Sequence, residues 1–430
     1  MKKLLSALLV VALVMGALPL MTVAKAEPVK LVYMTTWEDK VEYNAYIEEA
    51  GKRFAEEYPD LCSGVEILPV SYSGYEAKFQ TALSSESYVC DIFQGQPQTY
   101  HGFADPMPEA FAAWIDENVV SYLKDIGIFE GVRYGIPQEA GNFQQLYINI
   151  DMFKEAGLDP ENPPKTMDEL KEYAKKLTKY DADGNLVQAG FAIRYSGEGQ
   201  GIADKNLTFF HAFGARLFDP ETLTADGIVN SEKVVAAMNY LKGFLDDGIT
   251  NLEIGVPETV FGQGRAAMIM RESWVVGYLQ NNAPDINFTV CAAPVTEGNT
   301  PVGAGNLFPW ANMVCKDSPN KEVAWKFLEY LYADPAVDLA MNMSAGYLPI
   351  LAVNYDTDYV KNRPDYGSIT AMLERDYTPA YDYYIEEMTE VTTAFGNAIL
   401  NVLYGESDAE SALNEAAEQI DEILAEAKEE

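Results

Sequence analysis

Short apolar runs alternate with amphipathic stretches along most of the chain, and this alternation sets the order of elements. Leu31 to Met34 predicts a strand ending in Thr35-Thr36-Trp37-Glu38, and Ile47, Ala50, Phe54 and Tyr58 then recur at helical spacing. Val65 to Val70 predicts a second strand, and Tyr75, Phe79, Ala82 and Leu83 a second helix. Tyr88 to Phe93 predicts a third strand, which leads into Gln94-Gly95-Gln96-Pro97. This β-α-β-α-β order implies a parallel sheet covered by helices. Trp37 and Gln94 to Gln96 then share the strand-end edge where open α/β sheets bind ligands.

A second series starts after Ile136 to Phe143, an extended stretch that runs into a strand over Gln145 to Ile150. Pro163-Pro164 stop what precedes, and Thr166-x-x-Glu169 is a capping box for a helix burying Leu170, Tyr173 and Leu177. A domain change is therefore expected near Glu139 to Asn142. Phe191 to Tyr195 predicts a strand and Gly197-x-Gly199-x-Gly201 a flexible loop at the sheet edge. Ala266 to Met270 is a continuous apolar run, as in a strand buried on both faces. Arg271 and Glu272 follow, and then Ser273, a good N-cap for a helix beginning at Trp274. Phe288 to Ala292 and Ala311 to Cys315 are further strands. Ser318-Pro319 opens a helix with Pro in its first turn, and Ser407-x-x-Glu410 opens the last one, with Leu413, Ala417, Ile420 and Leu424 buried.

Length, charge and cysteines narrow the setting. At 430 residues the chain exceeds one ordinary core. Lys2 and Lys3, an apolar run from Leu4 to Leu20 and Ala24-Lys25-Ala26 form a secretory leader, expected to be cleaved after Ala26. The net charge of -36 becomes -39 without the leader's lysines, which argues against nucleic acid or anionic lipid as partner. Cys62, Cys90, Cys291 and Cys315 form no C-x-x-C pair, so no zinc site or other metal site is expected. Cys62 with Cys90 and Cys291 with Cys315 are conceivable disulfides, and buried free thiols are an equal alternative.

Catalytic signals are sparse. Asp181-Ala-Asp183-Gly184-Asn185 lacks the glycine and glutamate positions of a calcium loop and reads as a turn. Ser318-Pro-Asn-Lys321 stands without the motifs that accompany a serine nucleophile. His101 and His211, the only histidines, sit in no triad pattern, so neither an enzyme nor a cofactor is expected. Trp37, Trp274 and Trp310, each beside polar residues at a strand end, suit the apolar faces of sugars. Core packing is the plainer explanation for any one of them.

Four ordered pieces carry a resemblance. They are Leu146 to Phe153 with Lys-Glu-Ala-Gly157, Pro163-Pro-Lys-Thr-Met-Asp-Glu-Leu170, Phe261-x-x-Gly264-Arg-Ala-Ala-Met-Ile-Met-x-x-Ser-Trp274, and Asp317 to Tyr330. Through them essentially the whole mature chain resembles the extracellular solute-binding proteins of ABC importers, in the sugar and oligosaccharide group that includes maltodextrin-binding proteins. The resemblance implies a two-lobed α/β periplasmic-binding-protein-like fold (type II), with a ligand cleft between lobes joined by hinge strands. After a signal peptide over 1–26, residues 27–140 plus 295–346 would form one lobe. Residues 141–294 plus 347–430, with a helical carboxyl end, would form the other.

It also implies a monomer that captures a mono- or oligosaccharide and delivers it to the transmembrane subunits of an ABC permease, in the periplasm or at the outer face of the membrane. Carried over, the ligand contacts are Trp37, Glu38, Gln94, Gln96, Asn142, Phe143 and Trp274, with Tyr195, Trp310 and Tyr347 as further candidates. The family's lipid-anchoring Cys is missing after the leader, and Met167 stands where a Trp is common. Arg271 and Glu272 replace small or uncharged residues and imply a more polar pocket. Two alternatives stay open: the same fold binding a polyamine or ferric ion, prompted by the acidity and by Tyr381-x-Tyr383-Tyr384, and a secreted carbohydrate hydrolase.

Overall fold

The computed structural model describes residues 27–36, 40–70, 78, 89–138, 140, 144–197, 199–296, 310–373, 385 and 387–428. The leader, the predicted helix around Phe79, and the candidates Trp37, Glu38, Asn142 and Phe143 lie outside these residues, as does the tyrosine cluster at 381–384.

The chain begins as the apolar pattern predicts. Strand β1 (Val29–Thr35), helix α1 (Val41–Glu57), β2 (Cys62–Pro69) and β3 (Ile92–Gly95) follow in order, and β1 pairs in parallel with both other strands. Ile47, Ala50 and Phe54 of α1 are fully buried. Strand β4 (Gly135–Pro137) closes this part of the chain.

A second sheet follows. β5 (Gln145–Asn149) is its central strand, flanked in antiparallel fashion by β6 (Met268–Arg271) and β7 (Phe288–Cys291). All five β5 residues and all four of β6 are buried, as a strand covered on both faces requires. Between β5 and β6 come α2 (Met167–Leu177), α3 (Gly199–Ala212) and α4 (Pro257–Gly262); α5 (Trp274–Asn282) follows β6. The capping box of α2 forms as expected, with Thr166 and Glu169 each accepting the other's backbone N–H.

β8 (Ala311–Val314) then returns to the first sheet and lies antiparallel between β3 and β4, giving the order β2-β1-β3-β8-β4. Helices α6 (Lys321–Ala333), α7 (Pro335–Ala345), α8 (Pro364–Leu373), α9 (Met388–Tyr404) and α10 (Ala409–Ala427) complete the described chain. Leu413, Ala417, Ile420 and Leu424 form the buried face of α10.

Several local expectations are corrected. Phe191 to Tyr195 is not a strand of the second sheet; Ala189 and Ala192 make only isolated parallel bridges to Ala266 and Ile269. Gly199 and Gly201 belong to α3 rather than to a loop. The reason is a close helix crossing: a Cβ on Gly396 of α9 would lie 1.7 Å from the Gly199 carbonyl oxygen. The last helix is capped by Asp408, which accepts the Ser411 N–H, instead of Ser407. Helix α6 starts at Lys321, because the Ser318 hydroxyl donates to buried Asp91 and leaves the chain a turn short of helical there.

Both conceivable disulfides are absent, and all four cysteines are free. Cys62 opens β2 and Cys90 precedes β3, so β1 separates them; Cys291 ends β7 in one sheet while Cys315 follows β8 in the other. Burial pushes the Cys291 thiol up to about 12. It is a packed group rather than a reactive thiolate.

Candidate functional site

Trp274 opens α5 at the carboxyl end of β6, where the apolar run stops and two charged residues begin. Its indole is half-buried, and the Nε1–H donates to Glu272 Oε2 at 3.1 Å. The Arg271 guanidinium lies over the ring, 5.1 Å from its centroid, within cation–π range. The ring orientation is thus fixed by its two charged neighbours.

Those neighbours belong to a buried ion network. Arg271 Nε donates to Glu272 Oε2 at 3.0 Å, and its NH1 is paired with Glu258 of α4. Glu272 Oε1 meets Lys205 Nζ of α3 at 2.6 Å. Arg194, at the end of the bridged segment, stands with NH1 3.9 Å from Glu258 Oε1. Glu272 is only 1% exposed and Arg271 3%. Burial works against the Glu272 charge, yet Lys205 and Arg271 outweigh it and hold the carboxyl well below the usual carboxylate range. An isolated carboxylate at this depth would instead neutralise.

The backbone around Trp274 is tied down as firmly. Ser273 does not cap the helix with its side chain, contrary to the expectation. It has helical dihedrals, and its hydroxyl instead accepts from Gln145 Nε2 at 2.8 Å. Tyr147 OH donates to the Glu272 carbonyl at 2.7 Å. Arg363 NH2 donates to the Ser273 carbonyl at 3.3 Å, and the same guanidinium's NH1 donates to the Gly346 carbonyl at 2.8 Å. Gly346 caps α7 with φ +81°, and a Cβ there would come 2.7 Å from the Gly277 Cα in α5. Glycine at both positions lets the Trp274 helix lie directly on this turn.

The remaining candidates separate into groups. Ala311 opposite both Gly95 and Pro137 brings Gln96, Trp310 and Gln138 to one edge of the first sheet, and Gln138 N donates to the Trp310 carbonyl. Gln94 is fully buried, its Oε1 accepting the Thr36 N–H at 3.0 Å, so its side chain braces the loop before Trp37. Tyr347 is buried in the core at 6% exposure and accepts from Tyr359 OH through its carbonyl. Tyr195 is half-buried, its hydroxyl receiving the Gly255 N–H at 3.3 Å. The sequence reading missed Lys205, Glu258, Gln145 and Arg194, which converge from distant segments with no local motif.

Asp204 adjoins this network on α3, its backbone carbonyl accepting from Gln144 Nε2. Burial pushes it up to about 6, against the attraction of Lys205 and with added repulsion from Glu272. Its unfolded value is about 3.9, so the folded state holds the proton more tightly. The stability cost of Asp204 is therefore absent below the unfolded value, builds as the pH rises towards about 6, and is full above that. Asp204→Asn should raise the melting temperature at pH 8 and leave it nearly unchanged at pH 4, as thermal melts across that range would read.

A separate cavity of about 670 Å³ lies between β7, the Pro163-Pro164 loop and α8, lined by residues that include Lys154, Glu161, Cys291 and Ser368. None of its lining residues belongs to the Trp274 network.

The described strands form a five-stranded and a three-stranded open sheet, not a closed barrel, with an anchored tryptophan at a strand end. A family model for bacterial extracellular solute-binding proteins matches residues 37–338, and the chain belongs to that family. A Brucella abortus (strain 2308) protein described as a binding protein is 25% identical over 433 residues, covering 95% of this chain and 97% of its own. The GacH receptor of Streptomyces glaucescens, solved unliganded and with acarbose, superimposes with a TM-score of 0.76 at 18% identity, over 92% of this chain and 98% of the receptor. The cyclic alpha-maltosyl-1,6-maltose binding protein of Arthrobacter globiformis gives 0.73 at 20% identity, over 93% and 100%. At these identities the structural likeness fixes the fold: two α/β lobes of the type II periplasmic-binding class. Among the described residues no helix is long and apolar enough to cross a membrane, and no group of three His, Cys, Asp or Glu side chains could hold a metal ion.

Proposed function

We propose that this chain is the exported substrate-binding component of an ABC importer, capturing a sugar or oligosaccharide between its lobes and delivering it to the membrane permease. The observation that carries the reading is Trp274: a half-buried ring at a strand end, held by Glu272 and Arg271 in a family whose members bind solutes. An aromatic face fixed in this way offers stacking surface at little entropic cost. At the edge of the first sheet, Gln138 has both amide atoms buried without a partner among the described residues, beside Trp310 and Gln96. Such an amide suits sugar hydroxyls, which both donate and accept. Binding capacity for oligosaccharides in relatives such as the acarbose-binding receptor supports the same ligand class.

The lobes follow the chain's movement between sheets. Residues 27–140 and 295–346 form one lobe, and 141–294 with 347–430 the other. The bridge between Ala140 and Leu348 brings two of the crossings side by side. Leu351 still bridges Val119 of the first lobe, so the last crossing is best drawn a few residues beyond 347. The protein acts as a monomer at the outer face of the membrane or in the periplasm, after removal of its first 26 residues.

Thermal-shift titration of the exported chain against a broad glycan panel tests the reading. A true ligand at a hundred times its dissociation constant should stabilise the fold by about 2.7 kcal/mol. Silence across mono- and oligosaccharides, neutral and acidic alike, would refute it.

A further inference from the structure

Arg194 is the member of the Trp274 network whose charge is least well met. Its guanidinium makes no hydrogen bond among the described residues: Nε is buried without a partner, and the nearest carboxylate oxygen, on Glu258, is 3.9 Å from NH1. Glu258 is already committed to Arg271 through its other oxygen. Arg194 is therefore packed near a second guanidinium, and burial together with that repulsion pulls its pKa down. The Arg194 side chain keeps 26% of its surface exposed, and that of Lys205, across the network, keeps 25%. In a chain of net charge -36, three cations gather here on Glu258, Glu272 and the readily protonated Asp204. An unmet guanidinium presents a planar fork that matches an oxyanion in two parallel hydrogen bonds, about twice as strong as those to a neutral hydroxyl.

We propose that the ligand held against Trp274 carries an oxyanion, a carboxylate or a phosphate, and that Arg194 is the specificity-determining residue that grips it, with Lys205 adding charge. This rests on the reading of the chain as a carbohydrate receptor. The anion completes the pairing that Glu258 leaves short and brings Arg194 the hydrogen bonds it lacks. A neutral sugar supplies weaker acceptors and leaves the guanidinium charge uncompensated.

Calorimetry of the exported chain with matched pairs tests the proposal: galacturonic acid against galactose, glucose 6-phosphate against glucose, and their short oligomers. The acid member of a pair should bind about 30-fold more tightly than its neutral partner, equivalent to ~2 kcal/mol. Which acid binds distinguishes uronate from phosphate. Arg194→Gln should remove most of that preference by weakening the acid ligand while costing the neutral one far less. Arg194→Lys should restore part of it, since charge returns without the fork. Equal binding of acid and neutral members, binding of neutral sugars alone, or a uniform loss on Arg194→Gln accompanied by a lower unliganded melting temperature would overturn the proposal and leave the receptor reading standing. Silence across the whole set would overturn the proposal, and the broad glycan panel decides the receptor reading separately.

Discussion

Replacing Trp274 by alanine should weaken ligand binding by at least about 100-fold, near 2.7 kcal/mol, the scale of a buried aromatic anchor. A ring fully exposed in the cleft would leave unliganded stability unchanged. Trp274 is instead half-buried, hydrogen-bonded to Glu272 and packed on Tyr278 at 5.9 Å. Its loss should therefore also lower unliganded stability by ~1–2 kcal/mol, less than for a fully buried tryptophan. Trp274→Phe separates the two contributions: it keeps a stacking face while losing the N–H bond to Glu272 and part of the ring area. Its affinity should lie much closer to that of the native protein. Calorimetric titration alongside chemical unfolding reads both quantities, and a large loss of stability with little loss of affinity would assign the ring to the core.

Glu272→Ala should be the most destabilising single change at the site, at about 3–5 kcal/mol. Removing the carboxylate leaves buried Arg271 with Glu258, takes the 2.6 Å ion pair from Lys205 and takes the acceptor from the Trp274 N–H. Breaking a buried pair from one side costs more than the pair itself contributes, because the remaining charge stays desolvated. Glu272→Gln should fall between, since it can still accept from Trp274 but carries no charge. The acid limb of stability should change as well. With its pKa held low, Glu272 contributes stability that is fully present above its usual value and is lost as the pH falls towards its folded one. Urea unfolding at pH 7 and pH 4 should show the difference between native and Glu272→Gln proteins narrowing at the lower pH.

The fold was legible in the sequence where one periodicity governed a segment. The apolar runs at β1, β5 and β6 and the stripe of α10 are read correctly because each is buried by elements that cover it wholly or along one face. Legibility fails where tertiary contact overrides local preference. Ser273 has an ideal N-cap identity, but Gln145, 128 residues away in sequence, takes its hydroxyl. Gly199 reads as loop until the crossing with Gly396 is seen to require a residue without a side chain. Ser318 is diverted by Asp91 in the same manner.

The site was half legible. Trp274 stood out because it follows a buried strand. Arg271 and Glu272 were recognised as polar additions to the pocket, whereas most of their charge is turned on one another and on Glu258 and Lys205. Gln94 and Tyr347, named as ligand contacts through the family resemblance, have buried side chains, and Gln94 accepts the Thr36 N–H. Arg194 gave no local signal, since only the assembled network reveals a guanidinium short of partners.

Trp274 and the ions that hold it form the proposed ligand-binding site. A structure of the protein with a bound sugar tests it most directly. A sugar ring is expected against the face of Trp274 that Arg271 leaves free, with its acidic group within hydrogen-bond reach of Arg194. A ligand seated instead in the cavity beside Cys291 and Ser368, with Trp274 untouched, would contradict it.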